Sequence, residues 1–158
     1  MDARKHEPIS LEVLQSRVGQ EIGISSWHEV TQEMIDRFAD VTGDHQFIHV
    51  DAKRAKAEGP YGGTIAHGFL TLSLLPMFRH DALPPLANQA IGINYGLDRV
   101  RFLAPVKTGS RVRGRFTLKD ITMRSEKEAL FRYEVTIEIE GNGKPALVAE
   151  SLGLAILK

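Results

Sequence analysis

The chain has 158 residues, 42% of them hydrophobic and 25% charged, an ordinary globular balance for a length that buries roughly 70% of its unfolded surface. Lys+Arg and Asp+Glu each number 20, so the formal net charge is zero and there is no electrostatic footprint for nucleic acid or an anionic membrane. With no cysteine, the sequence excludes disulfides, thiolate metal sites, iron–sulfur clusters and cysteine nucleophiles.

The opening run, Met1-Asp2-Ala3-Arg4-Lys5-His6-Glu7-Pro8, carries acids and lacks the apolar core of a signal peptide. No stretch approaches the ~20 apolar residues of a membrane helix, so a soluble, cytoplasmic protein is expected. Ser10 can cap a short helix with Leu11, Leu14 and Val18 on one side, ended by Gly19. An extended piece follows from Ile24 to Val30. Thr31 has the character of an N-cap, with Glu33 in the first turn. Ile35, Phe38, Ala39 and Thr42 keep helical spacing, and Gly43 sits where a left-handed residue closes a helix. Asp51 can cap another short helix over 52–58, which Gly59-Pro60-Tyr61-Gly62-Gly63 breaks.

From Thr64 to Phe78 apolar residues occupy every side of a helical segment, which predicts a surrounded helix that Pro76 kinks or ends. The remainder is strand-like. Residues 90–106, 110–124, 129–140 and 146–157 are rich in Val, Ile, Phe, Tyr and Thr, and Gly141-Asn142-Gly143 predicts a tight turn before the last. Residues 1–158 read as one domain, with 1–24 as a helical lead-in. A buried helix followed by four long strands, with a strand before it, predicts an α+β hot-dog fold, an antiparallel sheet wrapped around a central helix. An uncovered helix flank and a bare sheet edge predict a homodimer.

The densest polar cluster is Thr42-Gly43-Asp44-His45-Gln46-Phe47-Ile48-His49-Val50-Asp51. Asp44 and His49 lie five apart, with apolar Phe47 and Ile48 between them. A loop folded back on itself brings the two together as an acid–base pair in a partly dry pocket. Spacing alone leaves open, and somewhat favours, a bland role, Asp44 capping a turn and His49 sitting in the surface or core. The second cluster is Ala66-His67-Gly68. First-turn amides have no partner inside a helix, and a glycine allows a ligand carbonyl close approach. The alternative is a glycine chosen for packing. If Thr64 is the cap, the Gly68 N–H is taken by the Thr64 carbonyl, so an oxyanion role needs the helix to begin nearer Ala66 or His67.

Weaker candidates stand beside these. Asp44, His45, His49 and Asp51 match no metal-ligand spacing, so no metal is expected. The alternating Arg111, Arg113 and Arg115 suit the solvent face of a strand, or else the phosphates of an acyl carrier. His45, His67 and His80 are single histidines of structural type. Ser73 lacks a nucleophile elbow.

The run 39–51 resembles the hydratase motif of MaoC-like (R)-specific enoyl-CoA hydratases, in which an aspartate is followed five positions on by a histidine and then by another aspartate. Ile65-Ala66-His67-Gly68-Phe69 resembles that family's entry to its central helix. Val100-Arg101-Phe102-Leu103-Ala104-Pro105-Val106, with Gly109 beyond, resembles its recurring strand and turn. With Asn94-Tyr95-Gly96-Leu97 included, the chain is most similar to the nodulation protein N-like branch. The resemblance implies Asp44 and His49 as catalytic residues and the Gly68 backbone N–H as oxyanion donor. It also implies substrate contacts at His67, Phe47, Asn94 and Tyr95, and no cofactor. The implied reaction hydrates a trans-2-enoyl thioester of CoA or an acyl carrier protein to the (R)-3-hydroxyacyl thioester. Thioester hydrolysis and a non-catalytic acyl-carrier-binding dimer are the alternatives. Many members have Asn-Pro where this chain has Gln46-Phe47, and some carry a supporting serine lower on the central helix, at about the position of Pro76 here, with Ser73 nearby.

Overall fold

The structure, a computed structural model, describes residues 6–158; the opening Met1–Lys5 of the lead-in lies outside the described residues. Local capping chemistry sets the early helices. Ser10 accepts from the Val13 amide and starts α1 (Leu11–Gln15), while Thr31 accepts from the Met34 amide and starts α2 (Gln32–Thr42). Gly43, at φ 78°, closes α2 in the left-handed region. After α3 (Phe47–Val50), Asp51 accepts from the Arg54 amide and starts α4 (Ala52–Glu58).

Two short strands precede α2, namely β1 (Glu21–Ile24) and β2 (His28–Glu29). Among its described residues the lead-in is therefore helical only at α1; its last four residues already belong to the sheet. The extended piece expected over 24–30 is divided between the two strands. Val18 is 42% exposed and does not share the buried face of Leu14.

The central helix differs from expectation in position. It begins at Gly68 rather than Thr64 and runs as α5 (Gly68–Ser73) and α6 (Leu75–Ala82), with a break at Leu74. Pro76 occupies the first turn of α6, where its missing N–H removes no helical bond, so it starts the second piece rather than ending the first. Strands β3 (Gln89–Phe102), β4 (Arg111–Ser125), β5 (Glu128–Ile139) and β6 (Leu147–Leu157) follow. All pairings are antiparallel, in the order β1-β4-β5-β6-β3, with β2 also on β4. The connection expected as a tight turn at 141–143 is a longer loop between β5 and β6, with Gly141 at φ 72°.

Alternation along β4 and β5 places Val112, Phe116, Leu118, Phe131, Val135 and Ile137 on the inner face. Leu70, Leu75, Phe78 and Ala82 of the helix pack against them. This is the hot-dog arrangement expected from the sequence. Arg111, Arg113 and Arg115 point outward and are paired with Glu140, Glu138 and Glu21, the solvent-face reading of their alternation. Strand β3 ends the sheet, and its Ile91, Ile93, Tyr95 and Leu97 are 42–57% exposed. Phe69 of α5 is also open to solvent, so one flank of the helix is uncovered. Among the described residues no helix is long and apolar enough to cross a membrane.

Candidate active site

The left-handed turn at Gly43 swings the chain out of α2 into the short loop that carries Asp44. One turn of helix, α3, then returns it inward and buries His49 at 7% exposure. A strap over residues 64–66 runs between this helix and the loop at 106–108. The Ile65 amide donates to the Ile48 carbonyl at 3.0 Å, and the Ala66 amide to the Val106 carbonyl at 2.7 Å. The Thr108 amide donates to the Thr64 carbonyl at 3.1 Å. Thr64 is thereby drawn into a sheet-like strap and away from helix capping. The cap of α5 is His67, and among the described residues no carbonyl accepts from the Gly68 N–H. The condition for a free amide at Gly68 is met.

The His49 Nδ1–H donates to the Ile65 carbonyl at 2.7 Å, since a carbonyl can only accept. In the neutral ring this leaves the lone pair on Nε2. The carboxylate of Asp44 and ring nitrogens of His49 and His67 lie within 4.8 Å of one another. Hydrogen bonds of about 2.8 Å from each side can meet at one water across that gap at an angle no wider than about 120°. The Asp44 side chain is 57% exposed in the single chain, so of the pair only His49 sits in dry surroundings. Asp44 also accepts weakly from the Gln46 amide at 3.4 Å, the turn-capping contact of the bland reading.

His49 and Gly68 line one cavity of about 290 Å³ together with Tyr61, Ile65, Thr71 and Phe102. A methyl group on Gly68 would come within 2.9 Å of the Phe102 ring, so the bare glycine lets that ring lie against the start of α5. The other expected substrate contacts are placed differently. His67 is buried and stacked on His49, at 3.8 Å between ring centroids and 24° between planes. Phe47 is half-buried beneath the Arg54 guanidinium and does not line the cavity. Asn94 and Tyr95 lie on the exposed edge strand β3, away from that lining. His45 is exposed and bonded to Asp40 at 2.9 Å, which holds its pKa above the usual histidine value. Ser73 donates to the Phe69 carbonyl on the outer side of α5, a structural use of the hydroxyl.

Asp44, His49 and His67 form the carboxylate-plus-imidazole set that a zinc ion takes. Imidazole lone pairs lie in the ring plane, however, and near-parallel stacked rings direct them side by side rather than onto one ion. The geometry suits proton exchange with a bound water better.

Sequence reasoning missed Gln32. Its Nε2 donates to the His49 carbonyl at 2.7 Å, and its Oε1 accepts from the hydroxyls of Thr64 and Thr108 at 2.7 and 3.1 Å. One amide thus locks α3, the strap and the 106–108 loop together. No motif marks a glutamine in the first turn of a helix, and its three partners are 17, 32 and 76 positions away.

Residues 13–140 match the model of the MaoC like domain family. Nodulation protein N of Rhizobium leguminosarum bv. viciae is 57% identical over 144 residues, covering 91% of this chain and 89% of that protein. The 3-hydroxyacyl-thioester dehydratase Z of Mycobacterium tuberculosis (strain H37Rv) is 48% identical over 139 residues, covering 88% and 91%. The unliganded R-hydratase of Pseudomonas aeruginosa superposes with a TM-score of 0.68 at 24% identity, covering 89% and 83%, a likeness of fold.

Replacing Gln32 with alanine removes the shared partner of one carbonyl and two hydroxyls. A loss of about 1–3 kcal/mol in urea unfolding is expected. A change below about 0.5 kcal/mol, the ordinary range for a surface substitution, would show that the lock does not matter.

Proposed function

The chain belongs to the MaoC-like domain family, and we propose that it catalyses reversible hydration of trans-2-enoyl thioesters to (R)-3-hydroxyacyl thioesters, with Asp44 and His49 as the acid–base pair. It is a hydratase/dehydratase of acyl thioesters. One relative is named for dehydrating 3-hydroxyacyl thioesters, the reverse direction of such a hydration. The observation that carries the residue assignment is a buried imidazole with one nitrogen anchored and the other bearing its lone pair. It stands within 4.8 Å of a carboxylate, in a cavity that also holds an unbonded amide.

Asp44 and His49 hold and polarise one water between them. As its oxygen bonds to C3 of the enoyl group, one of its O–H bonds breaks and that proton passes to the pair, while electrons move through the double bond onto the thioester oxygen. That oxygen, now an enolate, accepts from the Gly68 N–H. A proton from the pair then goes to C2 on the same face, and the net change is one water added. A single oxyanion donor contributes about 3–4 kcal/mol to such a step. The route needs no metal or cofactor, because the thioester itself acidifies C2. Ile65, Phe102, Pro105 and Val106 give the cavity apolar walls suited to an acyl chain, carried on CoA or an acyl carrier protein. The (R) assignment rests on the resemblance of residues 39–51 to the motif of (R)-specific hydratases.

The working unit is proposed to be a homodimer. Strand β3 has a partner on one side only in the sheet order, and carries Ile91, Ile93, Tyr95 and Leu97 exposed beside it. A second copy would cover a bare edge and its apolar side chains together. Sedimentation is expected to give twice the mass of one chain, with Ile93→Arg shifting it toward the monomer. A monomeric wild type overturns the dimer.

Turnover is followed as loss of enoyl absorbance with crotonyl-CoA and longer enoyl-CoAs. Asp44→Asn and His49→Gln are each expected to lower kcat by about 10²–10⁴-fold. Near-full activity in Asp44→Asn, or release of free thiol in place of hydration, contradicts the assignment.

A further inference from the structure

His67 takes no part in the step just described, yet it is 3% exposed and sits against both catalytic residues. Its Nε2–H donates to the main-chain carbonyl of Asp44 at 2.9 Å. One face of its ring stacks on His49 at 3.8 Å, and Phe38 lies tilted nearby at 5.0 Å. Its Nδ1 is buried without a hydrogen-bond partner. A phenylalanine would fill the same space without an orphaned polar atom, so packing alone does not account for this side chain.

Asp44 needs an outside tether. It lies in a loop of exposed residues, and its own local bonds are long. Its amide reaches Thr42 Oγ1 at 3.4 Å and its carboxylate reaches the Gln46 amide at 3.4 Å. The bond from His67 is the shortest hydrogen bond that Asp44 makes among the described residues. The same ring then sets the distance to His49 through its face. An imidazole can donate in its plane and stack on its surface at once; an amide side chain can donate but offers no aromatic face, and a phenyl ring only stacks.

We infer that His67 is a positioning residue, which holds the Asp44 loop at the distance from His49 that one water spans. The inference rests on the assignment of Asp44 and His49 above. Misplacing a reacting group by about 1 Å can cost 10²-fold in rate, which sets the scale of the effect.

The test uses the full chain and the crotonyl-CoA assay, with His67→Phe, His67→Gln and each combined with Asp44→Asn. His67→Phe is expected to lower kcat by about 10²-fold with KM within about threefold of wild type. His67→Gln, which keeps a donor, is expected to recover about tenfold of that loss. Because His67 acts through Asp44, adding either substitution to Asp44→Asn should lower kcat little further. Wild-type kcat in folded His67→Phe overturns the inference, as do losses that multiply in the double variants. Should His67→Phe fail to fold, His67→Gln and its double variant decide by the same rule. An active Asp44→Asn would instead overturn the assignment beneath it.

Discussion

The hydrogen bond from His49 Nδ1 to the Ile65 carbonyl, 2.7 Å long and buried, joins the two halves of the site. On one side it fixes the tautomer, so that Nε2 carries the lone pair a base needs. On the other it holds residues 64–66 as an extended strap against the 46–51 segment. The strap then takes its remaining bonds from the 106–108 loop, with Thr64 and Ala66 both committed there. A helix starting at Thr64 would satisfy the Gly68 amide within itself. The strap postpones the start of α5 to Gly68, a residue that lines the cavity, and leaves its amide without a helical partner. A correctly protonated imidazole and an open amide are two results of the same contact. Gln32 stands behind it and holds the His49 carbonyl, Thr64 and Thr108 in one lock.

The sheet supplies the rigid wall on which this rests. Inner-face residues of β4 and β5 close on Phe78, which is fully buried. The break at Leu74 lets α5 and α6 follow the curve of the sheet, while α5 keeps its first turn at the cavity. The proposed chemistry thus lies on the loop side of the helix. The opposite surface of the sheet carries paired arginines and glutamates.

What the sequence made legible was whatever local chemistry decides. Ser10, Thr31 and Asp51 cap because their side chains reach amides within three residues, and Gly43 closes a helix because it tolerates positive φ. Alternation in β4 and β5 declared its own faces. The Asp44/His49 loop showed as an unusual density of polar residues around two apolar ones. What stayed hidden depends on distant partners. The start of the central helix was misplaced because the strap's partners lie some forty residues further along. The His49–His67 stack joins residues eighteen apart through the folding of a loop. Asn94 and Tyr95 carried a family likeness but lie on an edge strand that does not line the cavity of one chain.

In the proposed hydration, oxygen and proton add to the same face of the substrate, because Asp44 and His49 hold that water together while the oxyanion donor belongs to a separate segment. Hydration of crotonyl-CoA in D2O reads this directly, through the relative configuration at C2 and C3 of the product. One deuteron at C2, on the same face as the new C3 oxygen, is the expected result. Addition from opposite faces, or an equal mixture of the two, would contradict it.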